Sequence, residues 1–249
     1  MTKRILLVRP YYKCREPESD DAAKRATARN DIEVHGMSGE NNMTCKNFNA
    51  HLAVCMNKGI YDYWCLLHGD VAPADGFVDA MLDSLEGSDL DVTHCPCRYK
   101  NDSGLVMTAL GRPGQVWGPN RQLTLKELDK LPQTFDASDL IDLWDMPDRI
   151  LLPNTGCMMW KLGDWIEKFP GFQMIDQFGR DQRTGQWIAR SVSEDYWFGF
   201  WAHDNGVKVG GTKHATEHWG RKGFSTDEIC GRETDEQYLE VAGVMEAVA

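Results

Sequence analysis

The chain has 249 residues and a formal charge of −11, with 42% hydrophobic and 26% charged residues. That length suits one large domain or two small ones, burying roughly three-quarters of the unfolded surface, and no apolar run approaches the ~18 residues of a membrane span. So acidic a chain is a poor passive ligand for nucleic acid, although one local basic patch would suffice for an enzyme that meets DNA.

At the N-terminus only Ile5–Val8 is apolar, too short for a signal-peptide core, so this segment reads as a first strand. Residues 21–29 carry helix formers. Residues 47–58 place Phe48, Leu52 and Cys55 on one helical face, with Gly59 as a stop. Tyr63–Leu67 is a second strand, Gly76–Leu85 a helix built on Phe77, Met81 and Leu85, and Leu90–Cys95 a further strand. Residues 98–150 are rich in Gly, Pro, Asp and Asn. They hold one clear helix at 123–131, capped near Thr124, and read as an irregular acceptor-side insertion rather than a second core. After 150 come ILLPNTGCMMW, a helix at 164–169, a Gly- and Gln-rich loop, an aromatic helix behind Ser193, a strand at 207–211 and a loop, HATEHWGRKGF. An acidic helix is expected over 225–249. Strands alternating with helices predict an α/β domain with a Rossmann-like, mostly parallel central sheet flanked by helices. The eight cysteines are scattered, which points to reduced core thiols and a cytoplasmic address, with a bacterial or viral origin fitting. Cys95-Pro96-Cys97 lacks a second Cys/His pair at zinc-ribbon spacing.

Four stretches bring chemistry. His68-Gly69-Asp70 closes the strand Tyr63–Leu67, and ligands of open α/β sheets bind beyond such carboxyl ends. Asp70 could hold a divalent cation there; hard oxygen suits Mg²⁺ or Mn²⁺, and an imidazole shifts the balance toward Mn²⁺. Taken alone, the stretch is slightly better explained by Asp70 capping the next helix and His68 packing in the core. Ser193-Glu194-Asp195 suits an N-cap followed by acidic residues on the helix dipole, and also a general base. His214 and His218 would share one face of a helix as metal ligands, but Gly220 and Gly223 favour a loop. One histidine with Arg221 and Lys222 suits a metal–diphosphate pocket; a basic surface loop is the alternative. In Asn154-Thr155-Gly156-Cys157 the glycine lets backbone pass close to a ligand, or simply makes a turn.

The order of these motifs resembles that of the nucleotide-sugar-dependent glycosyltransferases of the GT-A fold, above all the family-two kind, from Ile5 to about Gly220. The resemblance implies that LHGDV stands in the place of the Asp-x-Asp motif, with Asp70 holding Mn²⁺ or Mg²⁺ on the donor diphosphate. His68 departs from the usual Asp at the motif's first position. It further implies Asp195, beside Glu194, as catalytic base, His218 rather than His214 as the residue completing the metal shell, and Asn154 and Gly156 beside the donor sugar. Arg9-Pro10-Tyr11 and residues 46–49 fall where such enzymes bind nucleobase and ribose. Arg221 and Lys222 would neutralise the departing nucleoside diphosphate. The implied activity is a metal-dependent transfer from a UDP-sugar to an acceptor hydroxyl, with inversion. A glycan, a small molecule or a hydroxymethylated DNA base would each serve as acceptor.

Two other readings stand beside it. A nucleotidyltransferase of similar architecture would show a Gly-rich signature after the first strand, where this chain reads RPYYKCREPESD. A non-catalytic sugar-binding module would use Trp117 and the aromatic run 196–201 for stacking without turnover.

Overall fold

The structure, a computed structural model, describes residues 2–11, 15–40, 44–118, 120–143, 148–180 and 184–219. Arg221, Lys222 and the helix expected over 225–249 lie outside the described residues. In chain order the elements are β1 (Lys3–Tyr11), α1 (Pro17–Lys24), β2 (Ile32–Glu40), α2 (Thr44–Lys58), β3 (Tyr63–Leu67), β4 (Val71–Pro73), α3 (Phe77–Gly87) and β5 (Val92–His94). Then follow β6 (Leu105–Gly111), β7 (Arg121–Thr124), α4 (Leu125–Lys130), β8 (Thr134–Asp136), a 3₁₀ turn at Ala137–Leu143, β9 (Ile150–Leu152) and β10 (Cys157–Lys161). A 3₁₀ turn at Asp164–Lys168, β11 (Ile175–Arg180), β12 (Trp187–Val192), α5 (Glu194–Asp204), β13 (Val209–Thr212) and β14 (Thr216–His218) complete them.

Seven strands form the central sheet in the order β2-β1-β3-β10-β5-β13-β8. β2, β1, β3, β5 and β13 run one way, and β10 and β8 run against them. Strands covered on both faces read as continuous apolar runs, because successive side chains point to opposite layers. So Ile5, Leu7, Cys65, Leu67, Cys157 and Met159 join the core under α3, on its Phe77, Met81 and Leu85. Their neighbours Leu6, Val8, Trp64, Leu66, Met158 and Trp160 join the opposite core, under α2 and α5.

That second core is strongly aromatic. Trp160, fully buried, stacks on Phe198 of α5 at 4.9 Å between ring centroids and packs tilted on Trp64 at the same separation. Burying rings of this size contributes about 1.5–3 kcal/mol each. The packing seats α5 on the sheet and so fixes where its acidic N-terminus falls. α2 ends where its sequence predicts, at Gly59, whose φ of +61° suits a residue without a side chain.

Several elements differ from expectation. The helix expected at 21–29 is α1, shifted toward the N-terminus, because Pro17 in its first turn presets a helical φ. The described residues of 98–150 are largely regular: β7, β6 and β9 form a three-stranded antiparallel sheet. Its side chains Val106, Leu110, Leu123 and Leu151 enclose a core of their own with Leu125, Leu128 and Phe135, and β8 returns to the central sheet. The Gly- and Gln-rich loop is a β-hairpin of β11 and β12. Where a loop is expected from His214, Thr216–His218 form β14, paired antiparallel with β4.

Candidate active site at the carboxyl edge of the sheet

β1, β3 and β5 all end at the same edge, and the connections leaving them converge there with the start of β10 and of α5. Backbone hydrogen bonds tie these connections together. Gly69 N–H donates to the Pro10 carbonyl at 3.0 Å, and His68 N–H to the Gly156 carbonyl at 2.9 Å. Trp219 N–H donates to the Asp70 carbonyl at 2.7 Å, continuing the β14–β4 ladder in which His218 faces Val71.

This ladder brings His218 beside Asp70, with Nε2 3.7 Å from Oδ2. His218 Nδ1 lies 2.8 Å from the Arg98 carbonyl oxygen. A carbonyl only accepts, so Nδ1 carries the proton and Nε2 is left facing the carboxylate for a proton or a cation. His214 is elsewhere, with its Nε2 on the Ala74 carbonyl at 3.0 Å. Lys100 donates from Nζ to the same Asp70 Oδ2 at 2.5 Å. Burial opposes ionisation of Asp70, but His218, His68 and Lys100 outweigh it and hold the carboxyl well below its ordinary range. Burial pushes the His68 imidazole down to about 4, and its buried Nε2 has no hydrogen-bond partner among the described residues.

A divalent cation fits this donor set in part. A carboxylate, an oriented imidazole and a second imidazole with an orphaned nitrogen are hard and borderline donors suited to Mn²⁺. Yet among the described residues no group of three or more His, Cys, Asp and Glu side chains is arranged to hold a metal. Asp70 and His218 would therefore be the protein's share of the shell, with bound phosphate and water supplying the rest.

Glu194 and Asp195 open α5 a short way along the same edge. Thr155 donates from Oγ1 to Glu194 Oε1 at 3.4 Å, joining the carboxylates to the 154–156 loop. Ser193 makes no capping bond to the helix backbone; its hydroxyl instead bonds Asp195 Oδ1, which also takes the Tyr196 N–H at 2.8 Å. Asp195 is 5% exposed. Burial, and then the neighbouring Glu194 charge, raises its pKa; burial raises that of Glu194 as well. Glu194 is the more accessible of the two. Both charges reach Cys45 at the start of α2, whose thiol is pushed up to about 11, chiefly by burial.

The remaining residues shape the site from behind. Asn154 is fully buried: its Oδ1 accepts from Cys97 N–H and its Nδ2 donates to the Cys95 carbonyl, each at 3.2 Å. It holds the turn leading to Lys100 and presents no free amide to a ligand. A Cβ on Gly156 would come within 3.0 Å of Cys97 Sγ and 3.3 Å of Val71 Cγ2, so protein rather than ligand makes the close approach there. Arg9, 8% exposed, bonds Asp20 at 2.6 Å and Ser19 at 3.0 Å, and Ser19 in turn donates to the His68 carbonyl at 3.0 Å. Tyr11 lies under the Arg15 guanidinium, 5.2 Å from its ring centroid. Arg9, Arg15, Asp20, Lys24, Thr27 and Ser38 help line a cavity of about 550 Å³ between α1 and β2.

Sequence reasoning passed over Lys100, Thr155 as a carboxylate partner, and Arg15. The available signal for Lys100 was its position in Arg98-Tyr99-Lys100, a basic run just past the carboxyl end of β5. No family model matches the chain, and no curated protein matches it significantly. Among solved structures the chain is similar to A197 from STIV, with a TM-score of 0.50, 16% identity, and 94% of this chain and 98% of that chain covered. At that identity the likeness is one of fold.

Proposed function

We propose that the chain is a glycosyltransferase of GT-A type, moving a sugar from a nucleoside-diphosphate sugar, with UDP as the first candidate, to an acceptor hydroxyl. The observation that carries this reading is the meeting of Asp70 and His218, far apart in sequence, at the sheet edge shared with Glu194 and Asp195. The cavity between α1 and β2, with Arg9 and Arg15 in its wall, is of the size that takes a nucleoside and its phosphates. A divalent cation held by Asp70 and His218 would supply charge neutralisation of the departing diphosphate. The chain's own residues do the rest. Lys100 adds positive charge beside the diphosphate position. Glu194, raised by burial, and Asp195, raised by burial and then by the Glu194 charge, act as a pair that takes the acceptor's proton. Ser193 and the Tyr196 N–H hold Asp195 in one orientation.

The test is a panel of UDP-, GDP- and dTDP-sugars offered to purified protein with Mn²⁺, read by mass spectrometry for transfer or donor hydrolysis. Asp70→Ala and Asp195→Ala should abolish turnover of the preferred donor. Full activity in both variants would overturn the site.

A further inference from the structure

Lys100 Nζ lies 2.5 Å from Asp70 Oδ2, the same oxygen that faces His218 Nε2 at 3.7 Å. An ammonium there stands where a divalent ion bridging Asp70 and His218 would have to bind. The backbone that carries Lys100 is held in place, because residues 98–106 form a closed turn. Tyr99 N–H donates to the Leu105 carbonyl at 3.1 Å, Asn101 N–H to the Tyr99 carbonyl at 2.8 Å, and Arg98 bridges Val106. Asn101 Oδ1 accepts the Ser103 N–H at 3.0 Å inside the same turn. One segment therefore grips both partners: the Arg98 carbonyl orients His218 and the Lys100 ammonium holds Asp70. The Lys100 side chain keeps 35% of its surface exposed, so the ammonium's remaining protons can reach a ligand from solvent.

We propose that Lys100 is a resident cation of the diphosphate site: it bridges Asp70 to the phosphates when no metal is bound and competes with a divalent ion for Asp70. The proposal rests on the glycosyltransferase reading and deepens it, since a site with its own cation binds a nucleoside diphosphate without metal. Two like charges at one carboxylate repel strongly even when partly solvated, so removing the ammonium should strengthen metal binding as it weakens metal-free nucleotide binding.

The experiment measures two affinities in wild type, Lys100→Met and Lys100→Arg: Mn²⁺ alone by electron paramagnetic resonance, and UDP, GDP and ADP by calorimetry in EDTA. Expected are a nucleoside diphosphate bound by wild type in EDTA, a loss of about tenfold or more in Lys100→Met with recovery in Lys100→Arg, and Mn²⁺ bound about tenfold or more tighter by Lys100→Met. If wild type and Lys100→Met bind Mn²⁺ equally and both bind nucleotide only when Mn²⁺ is present, the role of Lys100 is overturned and the glycosyltransferase reading stands. If wild type binds none of the nucleotides with or without Mn²⁺, both fall together.

Discussion

Two carboxylates side by side at a buried helix start cannot both ionise freely, and this gives Asp195 a measurable signature. Its pKa is raised from 3.8 to about 7, by burial first and by Glu194 second. As the base of the proposed transfer it works only when deprotonated, so kcat/KM should climb as pH rises through an apparent midpoint near 7 and then level off. Asp195→Asn should lose about 10²–10⁴-fold in turnover and the pH dependence with it. Stability carries the opposite sign. Between 3.8 and about 7 the folded protein keeps a proton that the unfolded chain has released, so stability falls as pH rises through that window. The urea midpoint should therefore drop less between pH 5 and pH 8 in Asp195→Asn than in wild type. His94 shows burial acting on a base: it lies wholly inside the sheet, and burial lowers its pKa to about 4. Its ring contacts the Gly210 carbonyl at 2.8 Å and the Thr108 hydroxyl at 2.7 Å. Thr108 passes the support on to Asn154 at 3.3 Å. His94→Leu removes the imidazole from the Gly210 carbonyl and leaves the Thr108 hydroxyl with Asn154 alone, and should cost about 1–3 kcal/mol in chemical denaturation.

At the scale of elements, legibility in the sequence tracked burial. β1, β3 and α3 carry their apolar periodicity openly because both faces of the sheet are covered, and α4 announces itself through Thr124 and Glu127, which form a reciprocal capping box. Thr124→Ala should therefore destabilise by about 1 kcal/mol, read as a lowered urea midpoint. The β11–β12 hairpin gave no such signal: Phe178 and Trp187 are 78% and 61% exposed and stack on each other at 5.2 Å, so its strands do not alternate apolar with polar. Cross-strand contacts hold it, and those depend on register rather than on local composition. β13 is narrow for a reason visible only in three dimensions. A Cβ on Gly210 would fall against Leu90 and within 2.7 Å of the Phe135 carbonyl. Gly210→Ala must push β8 away, and should cost more than the capping variant in the same measurement.

Across the whole molecule, Cys65, Cys95, Cys97 and Cys157 are wholly buried around the start of β10 and are free thiols. Thiol reagents should leave these four untouched in the native protein and modify them at the rate of unfolding, then all at once in denaturant, as counted by mass spectrometry. None of the described helices is long and apolar enough to cross a membrane. The sequence by itself determined the α/β class, the central strands β1, β3, β5 and β13, most of the main helices and a list of candidate residues, because each of these depends on neighbours a few positions away. Only the tertiary structure decided which of those residues meet. The β14–β4 pairing sets His218 beside Asp70 and His214 on the Ala74 carbonyl, and the turn after β5 delivers Lys100 to Asp70. Burial ties Asn154 to the Cys95–Cys97 backbone and Arg9 to Asp20 and Ser19. Contacts between segments so distant in the chain are set by strand register and by the packing of two cores, and neither leaves a local trace.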